Sequence, residues 1–228
     1  MASMSHPIIQ SIQVGMPRQL GTPGSEDPNQ KPWFSGFVKT PVEGPIEVTR
    51  TGLVGDGQAD LENHGGPDKA ILCYNAGHFA FWKTELSRDD DVIGGMFGEN
   101  LTIDSLTEED VCIGDRYAIG DVVVQVSQPR QPCWKLKRRW NEPQISKLVI
   151  KHSYCGWYLR VLTPGTIEAG QSYARIERSN SEWTIRRASE AVYRKDPVEA
   201  DLKELASLPE LAESWQEGLT AKLKRMQN

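Results

Sequence analysis

An apolar run that ends at two prolines gives the clearest structural signal in the sequence. The run Val122 to Val126 reads Val-Val-Val-Gln-Val, and β-branched residues in such a run predict a buried strand. Pro129 and Pro132 follow. Because proline lacks a backbone N–H, they end the ladder of hydrogen bonds and hold the next residues extended. The sequence therefore places Cys133 in a loop at the mouth of a strand.

Positive charge surrounds Cys133 in the sequence. The nearby cations are Arg130, Lys135, Lys137, Arg138 and Arg139. Positive charge favours the thiolate, which is a strong nucleophile and a soft metal ligand, and it also suits a ligand that carries phosphate. The alternative is that Cys133 is a small buried hydrophobic residue and that the charges only solvate one face of the protein.

Length and composition are those of a globular protein. The chain has 228 residues, of which 38% are hydrophobic and 25% charged, so it can bury a sizeable core. We find no run of about eighteen apolar residues and expect no membrane-spanning segment. The net charge of -5 argues against binding of a nucleic-acid polymer, which needs a broadly basic surface. The local cations near Cys133 therefore indicate a specific anionic ligand.

The cysteines and the first residues of the chain predict the cellular compartment in which the protein is found. Cys73, Cys112, Cys133 and Cys155 are widely spaced and form no Cys-x-x-Cys pair. The first residues, Met-Ala-Ser-Met-Ser-His-Pro, lack the basic region and apolar core of a secretory signal. We therefore expect free thiols and a reducing, cytoplasmic location.

Short strand patterns dominate the chain up to about residue 176. Between Val111 and Val126, the Gly-Asp pairs at 114–115 and 120–121 separate short apolar runs, as in strands that fold back on one another. Because few helical patterns interrupt these strands, we expect a closed or strongly curved β architecture.

Two glycine-rich segments lie before these strands. The segment from Gly52 to Asp60 contains three glycines, and His64 begins a second segment, His-Gly-Gly-Pro-Asp-Lys. Backbone without bulky side chains lets a ligand approach closely, although neither spacing is that of a phosphate-binding loop. Glycines that serve only tight turns are the alternative interpretation.

The composition changes near Ser179, where helical spacing replaces the strand patterns. Thr184 is a predicted helix N-cap, and Asp196 is a second one, followed by Pro197 and a capping-box Glu199. Leucines and a tryptophan then recur at helical spacing between residues 208 and 223. These patterns predict three helices, which we interpret as an interaction or packing module.

Several motifs occur together in this chain. They are Gly52 to Asp60, His64-Gly-Gly-Pro-Asp-Lys-Ala70, Phe97-Gly-Glu-Asn-Leu101, Ile113-Gly-Asp115, Ser127-Gln-Pro-Arg-Gln-Pro-Cys133 with Lys135-Leu136, Leu211-Ala-Glu-Ser-Trp215 and Lys222-Leu223. In combination they resemble the MOSC domain, named after the C-terminal domain of molybdenum cofactor sulfurases, and within it the bacterial hydroxylaminopurine-resistance proteins. The resemblance implies an α+β fold, with a barrel-like MOSC domain at residues 1–178 and a three-helix domain at 179–228.

The same resemblance implies a cofactor and the residues that hold it. Cys133 would give its thiolate to the metal of a molybdenum cofactor (Mo-molybdopterin), whose pterin provides dithiolene sulfurs and whose phosphate needs cations. The implied cofactor-binding residues are Arg130, Asn100, Asp68, Lys69 and Lys135.

The implied reaction is reductive removal of the hydroxyl group from N-hydroxylated bases and related compounds, which detoxifies 6-N-hydroxylaminopurine. Cys133, His64 and Glu99 are the candidate catalytic residues. His64 would lie at the rim of the substrate pocket, and His64 or Glu99 would relay protons. The sequence contains no flavin or iron–sulfur motif, so a separate flavoprotein-type reductase would donate the electrons.

Two other functions compete with the enzyme hypothesis. The chain could be a carrier or sensor that delivers the cofactor, or sulfur loaded on Cys133, through its helical module. Alternatively, Trp134 and Trp140 among the cations could form a stacking platform for single-stranded nucleic acid, which the net acidity of the chain disfavours.

Overall fold

The computed structural model describes residues 7–227, apart from the side chain of Asn63. Its strands are β1 (Ile9–Val14), β2 (Arg18–Leu20), β3 (Trp33–Ser35), β4 (Thr40–Pro41), β5 (Ile46–Thr49), β6 (Gly52–Leu53), β7 (Ile71–Asn75), β8 (Leu101–Ile103), β9 (Arg116–Ile119), β10 (Val122–Pro129), β11 (Trp157–Thr163), β12 (Gly165–Ile167) and β13 (Ala174–Glu177). Its α-helices are α1 (Leu61–His64), α2 (His78–Glu85), α3 (Trp134–Trp140), α4 (Ile145–His152), α5 (Ile185–Tyr193), α6 (Glu199–Ala206) and α7 (Glu213–Met226), and Pro67–Lys69 forms a 3₁₀ turn.

Eight of the strands form one sheet, in the order β13-β9-β10-β11-β7-β8-β1-β4. Its neighbouring strands are antiparallel except β7 and β8, which run parallel. The sheet curls, because residues just before β13 at one edge reach the start of β1 near the other edge: Tyr173 N donates to Pro7 O (2.7 Å) and Ile9 N donates to Gln171 O (3.0 Å). This curled, half-barrel sheet confirms the predicted α+β class with a strongly curved β architecture.

The predicted strand at Val122 lies in the middle of this sheet as β10. It pairs with β9 on one side and β11 on the other, and every residue of it except Val123 is buried. Helices α2 to α5 contribute buried side chains such as Trp82, Trp140 and Ile185 to the same continuous core. The burial of this apolar surface is the main force that holds the sheet and helices together.

Helices α5, α6 and α7 confirm the three helices that the sequence predicts after residue 179. Thr184 caps α5 as expected, since its Oγ1 accepts a hydrogen bond from Arg187 N (3.0 Å). The predicted cap at Asp196 is wrong: α6 begins at Glu199, and the extended Val198 is its N-cap. Glu199 forms an i,i+4 ion pair with Lys203 (2.7 Å), so it does not act as a capping-box residue.

Other expectations concern single features of the chain. The four cysteines are free thiols, as expected. None of the helices within residues 7–227 is long and apolar enough to cross a membrane. The expectation that the chain lacks a secretory signal depends on its first residues, of which 1–6 lie outside the described part.

The capping geometry of α5 generates a stability prediction. We expect Thr184→Ala to lower the free energy of unfolding by about 1 kcal/mol, because an N-cap hydrogen bond is lost. The matched control is Thr220→Ala, which removes an exposed threonine inside α7 whose hydroxyl donates to Gln216 O. It should change stability by less than about 0.5 kcal/mol. Urea unfolding followed by circular dichroism measures both, and equal effects would contradict the cap assignment.

Candidate active site

A cleft of about 570 Å³, its open mouth included, lies where β10 ends. Six of the eight site residues expected from the sequence border it: Cys133, Arg130, Lys135, His64, Lys69 and Asn100. They come from three separate stretches of the chain, at residues 64–69, 100 and 130–135, so only the fold brings them together.

Arg130 continues the line of β10 into the cleft. Its backbone N donates to Gly156 O (3.1 Å), which extends the pairing of β10 and β11 beyond Pro129. The side chain is only 3% exposed, and among the described residues its buried Nη1 has no hydrogen-bond partner. A buried guanidinium donor without an acceptor is costly. An anionic ligand in the cleft would satisfy it.

Cys133 is the N-cap residue of α3, and it is the one cysteine that is not fully buried. Partial burial opposes ionisation of its thiol. However, a hydrogen bond with His64, the charge of Arg130 and a hydrogen bond with the backbone of Lys135 together lower the pKa of Cys133 to about 7. A large fraction of this thiol is therefore thiolate at neutral pH.

His64 connects the thiol to two charged groups. Its Nδ1 lies 3.1 Å from Asp60 Oδ2 and 3.5 Å from Lys135 Nζ. Asp60 and His64 are four residues apart across the short helix α1. This carboxylate fixes the orientation of the imidazole, as a third group does in many sites that pair a nucleophile with a base.

A buried ion pair that sequence reasoning missed lies beside the cleft. Lys39, which borders the cleft, forms an ion pair with Asp56, and both side chains are almost fully buried. Asn100 Nδ2 donates to Asp56 Oδ2 (2.9 Å), and Asn100 Oδ1 accepts from Leu72 N (3.1 Å). Burial lowers the pKa of Lys39 against the opposing effect of Asp56. In the sequence, the position of Asp56 between Gly55 and Gly57 could have pointed to this carboxylate. Nothing in the sequence points to Lys39.

Glycines shape the wall of the cleft, and part of the segment that begins at Gly52 is among them. Gly57, Gln58 and Ala59 from that segment border it. Gly98 has a φ of 78°, and a Cβ there would lie 2.9 Å from the ring of Phe37. A larger residue at position 98 would therefore be strained and would displace a wall of the cleft.

Glu99 and Asp68 do not border the cleft. The Glu99 carboxylate is fully buried and accepts hydrogen bonds from Gly95 N (2.7 Å) and Phe97 N (2.9 Å), so its observed role is to hold a turn. Burial raises its pKa. The expected proton relay through Glu99 does not fit this placement, because the carboxylate has no access to the cleft.

Asp68 links the cleft wall to the C-terminal helices. Its carboxylate forms an ion pair with Arg160 (2.8 Å) and accepts from Glu213 N at the start of α7 (3.4 Å). Its carbonyl accepts from Ser127 Oγ (2.6 Å). The neighbouring Lys69 faces the cleft, so Asp68 supports the turn that presents Lys69.

Other placements limit what the site can bind. Trp140 is 2% exposed and donates to Met96 O (3.0 Å), so the two-tryptophan platform for single-stranded nucleic acid, which the net acidity already disfavoured, does not form. Within residues 7–227, no group of three or more His, Cys, Asp and Glu side chains is placed to hold a metal ion. A metal at Cys133 would therefore need most of its ligands from a cofactor.

Known proteins are similar to this chain in sequence and in fold. Residues 60–174 match the MOSC domain, and residues 183–225 match the YiiM-like, 3-alpha helix domain. The chain is 38% identical to YflK of Bacillus subtilis (strain 168), over 91% of this chain and 93% of that one. It is 34% identical to a protein of Gibberella moniliformis named "Reductase", over 77% of this chain but only 31% of that protein.

A solved structure agrees with these matches. The crystal structure of YiiM from Geobacillus stearothermophilus superimposes with a TM-score of 0.79 at 35% sequence identity, and the match covers 95% of this chain and 99% of that one. The chain therefore belongs to the MOSC domain family, with a C-terminal YiiM-like three-helix domain.

Proposed function

We propose that this protein is a molybdenum cofactor-dependent reductase that removes the hydroxyl group from N-hydroxylated bases and related compounds, including 6-N-hydroxylaminopurine. The observation that carries the proposal is the Cys133 thiol, whose pKa is lowered to about 7, in a cleft that Arg130 also borders, with a buried Nη1 that has no hydrogen-bond partner among residues 7–227. Membership of the MOSC family and the similarity to a protein named "Reductase" support it.

The residues at the cleft fit such a cofactor. Cys133 offers one soft ligand to the metal. Arg130, Lys69 and Lys135 offer donors to a phosphate, and Asn100 also borders the cleft. When bound, the cofactor would supply a metal that passes two electrons to the substrate.

The reaction balances with two electrons and two protons. An N-hydroxylated amine, R–NHOH, loses its N–O bond and leaves as R–NH₂ and water. The electrons would come from a separate flavoprotein-type reductase, since the sequence contains no flavin or iron–sulfur motif. His64, which contacts Asp60 and borders the cleft, would hold and deliver a proton.

A carrier of the cofactor, or of sulfur on Cys133, is the alternative function. It would use the same thiolate, because sulfur transfer also needs a nucleophilic cysteine of low pKa. A turnover assay distinguishes a reductase from a carrier, since a carrier binds its cargo and does not reduce the N-hydroxylated compound.

The thiol of Cys133 should be the reactive one in cofactor-free protein. We expect its alkylation by iodoacetamide to rise with a midpoint near pH 7, because its pKa is lowered to about 7. Burial raises the pKa of Cys73, Cys112 and Cys155, so these thiols should stay unmodified. Mass spectrometry of the alkylated peptides measures the profile.

His64→Ala should move this midpoint to higher pH, because the hydrogen bond from His64 favours the thiolate. The rate at which iodoacetamide alkylates Cys133 at pH 7 should then fall severalfold. His152→Ala is the matched control, since His152 does not border the cleft, and it should leave the profile unchanged. An identical profile for wild type and His64→Ala would show that His64 does not activate the thiol.

Turnover tests the proposed function directly. Protein made in a host that synthesises the cofactor, supplied with dithionite, should convert 6-N-hydroxylaminopurine to adenine. Cys133→Ala should lower kcat/KM by about 100-fold or more, because the metal loses its protein ligand. Cys112→Ala removes a different free thiol and should keep near wild-type activity.

The same assay also tests the alternative function, that of a carrier. A Cys133→Ala protein that reduces the substrate at the wild-type rate would refute the proposed mechanism. Wild-type protein that holds the cofactor without turnover, and passes it to an apoenzyme, would identify a carrier.

A further inference from the structure

Glu108 is a buried carboxylate that does not border the cleft. Its side chain is 3% exposed, whereas the next residue, Glu109, leaves 65% of its side chain in solvent. The backbone of Glu108 is fixed as well, since its carbonyl accepts a hydrogen bond from Arg186 N in the first turn of α5 (2.8 Å). A buried carboxylate costs free energy unless hydrogen-bond donors compensate its charge. The partners of its two oxygens therefore indicate what Glu108 does.

Both oxygens of the Glu108 carboxylate are engaged. Oε2 lies 2.7 Å from Nε2 of the buried His78, and the imidazole of His78 stacks on the ring of Tyr154 with centroids 3.7 Å apart. Oε1 accepts a hydrogen bond from Gly156 N (2.8 Å). His78 thus holds the carboxylate in place, and the carboxylate holds Gly156.

Gly156 connects this carboxylate to the cleft. Its carbonyl accepts a hydrogen bond from Arg130 N (3.1 Å), so its backbone N–H is bound to Glu108 and its backbone oxygen to Arg130. Gly156 has a φ of 73°, and a Cβ there would collide with Cys73 O. Only glycine fits this position, and hydrogen bonds rather than side-chain packing fix it. A continuous series of contacts therefore runs from His78 through Glu108 and Gly156 to Arg130.

The position of Arg130 matters for the chemistry of the cleft. Its charge is one of the causes that lower the pKa of Cys133 to about 7. Its buried Nη1 has no hydrogen-bond partner among the described residues. Because no hydrogen bond holds that nitrogen, the placement of the guanidinium relies more on the backbone that carries it.

We propose that Glu108 is a positioning residue of the site: through Gly156 it fixes the backbone of Arg130 and thereby the placement of the guanidinium in the cleft. Glu108 acts from outside the cleft, since it borders a different cavity together with His78. The inference rests on the proposed function for the roles of Arg130 and Cys133 in catalysis. Its test uses cofactor-free protein and no substrate, so a failure of the inference and a failure of the proposed function are distinguishable.

Two conservative variants separate the position of the carboxylate from its charge. Glu108→Asp keeps the charge, but the shorter side chain cannot reach both His78 and Gly156. It should lower the rate at which iodoacetamide alkylates Cys133 at pH 7 by about twofold or more, because a displaced Arg130 stabilises the thiolate less. Glu108→Gln loses the charge but keeps an oxygen for Gly156 N and a donor for His78, and it should be alkylated at the wild-type rate.

A direct effect of charge predicts the reverse result. Removing a carboxylate favours the ionised form of a nearby thiol. Charge alone would therefore make Cys133 react faster in Glu108→Gln and leave the rate unchanged in Glu108→Asp, and this pattern would overturn the inference. The matched control is Glu109→Asp, which shortens the exposed neighbouring carboxylate that pairs with Arg186 and should leave the rate unchanged.

The effect of Glu108→Asp must also depend on Arg130. In an Arg130→Gln background the guanidinium charge is already absent, so Glu108→Asp should cause no further change in the alkylation rate. Effects of two independent sites would instead add. A further twofold loss in this background would show that Glu108 acts on Cys133 by another route, and it would overturn the inference.

Circular dichroism checks the fold of each variant. If Glu108→Asp does not fold, amide hydrogen exchange in wild type and Glu108→Gln decides the inference. Slow exchange of the Gly156 and Arg130 amides in both proteins, with equal alkylation rates, supports it, because the hydrogen bonds then persist without the charge. Fast exchange of either amide overturns it.

Discussion

The antiparallel pairing of β10 with β11 determines where the site forms. β10 is buried along almost its whole length, and its ladder with β11 runs to the pair Pro129 and Trp157. The hydrogen bond from Arg130 N to Gly156 O extends the pairing by one more residue. Pro132 then keeps the chain out of the sheet, and Cys133 begins α3. The buried strand β10 thus fixes the positions of both the Arg130 guanidinium and the Cys133 thiol.

Buried positive charge is the second constraint on the site. Arg130 and Lys135 are 3% and 6% exposed, and Lys39 is buried as well, paired with Asp56. The whole chain nevertheless has a net charge of -5. Burying cations costs free energy unless anions compensate them, so this local excess is best explained by an anionic ligand. The thiolate of Cys133 and a cofactor phosphate would supply the missing negative charge.

Local patterns in the sequence were sufficient for some of these features and not for others. The strand at Val122, the cysteine at the mouth of that strand and the Thr184 cap follow from nearest neighbours in the chain, and all three occur in the structure. The cap at Asp196 was wrong because α6 starts at Glu199, and the sequence alone does not show which residue becomes extended. Glu99 and Lys39 depend on how the chain folds around them: the Glu99 carboxylate is enclosed by the turn that starts four residues earlier at Gly95, and Lys39 meets Asp56 across 17 residues.

The content of molybdenum and pterin in purified protein tests the central claim most directly. Wild-type protein and Cys133→Ala would be made in a host that synthesises the cofactor, and both would be checked for folding by circular dichroism. The account predicts close to one molybdenum per wild-type chain and its loss from Cys133→Ala. Equal molybdenum in the two proteins, or none in wild type, would contradict the claim that the Cys133 thiolate holds the metal.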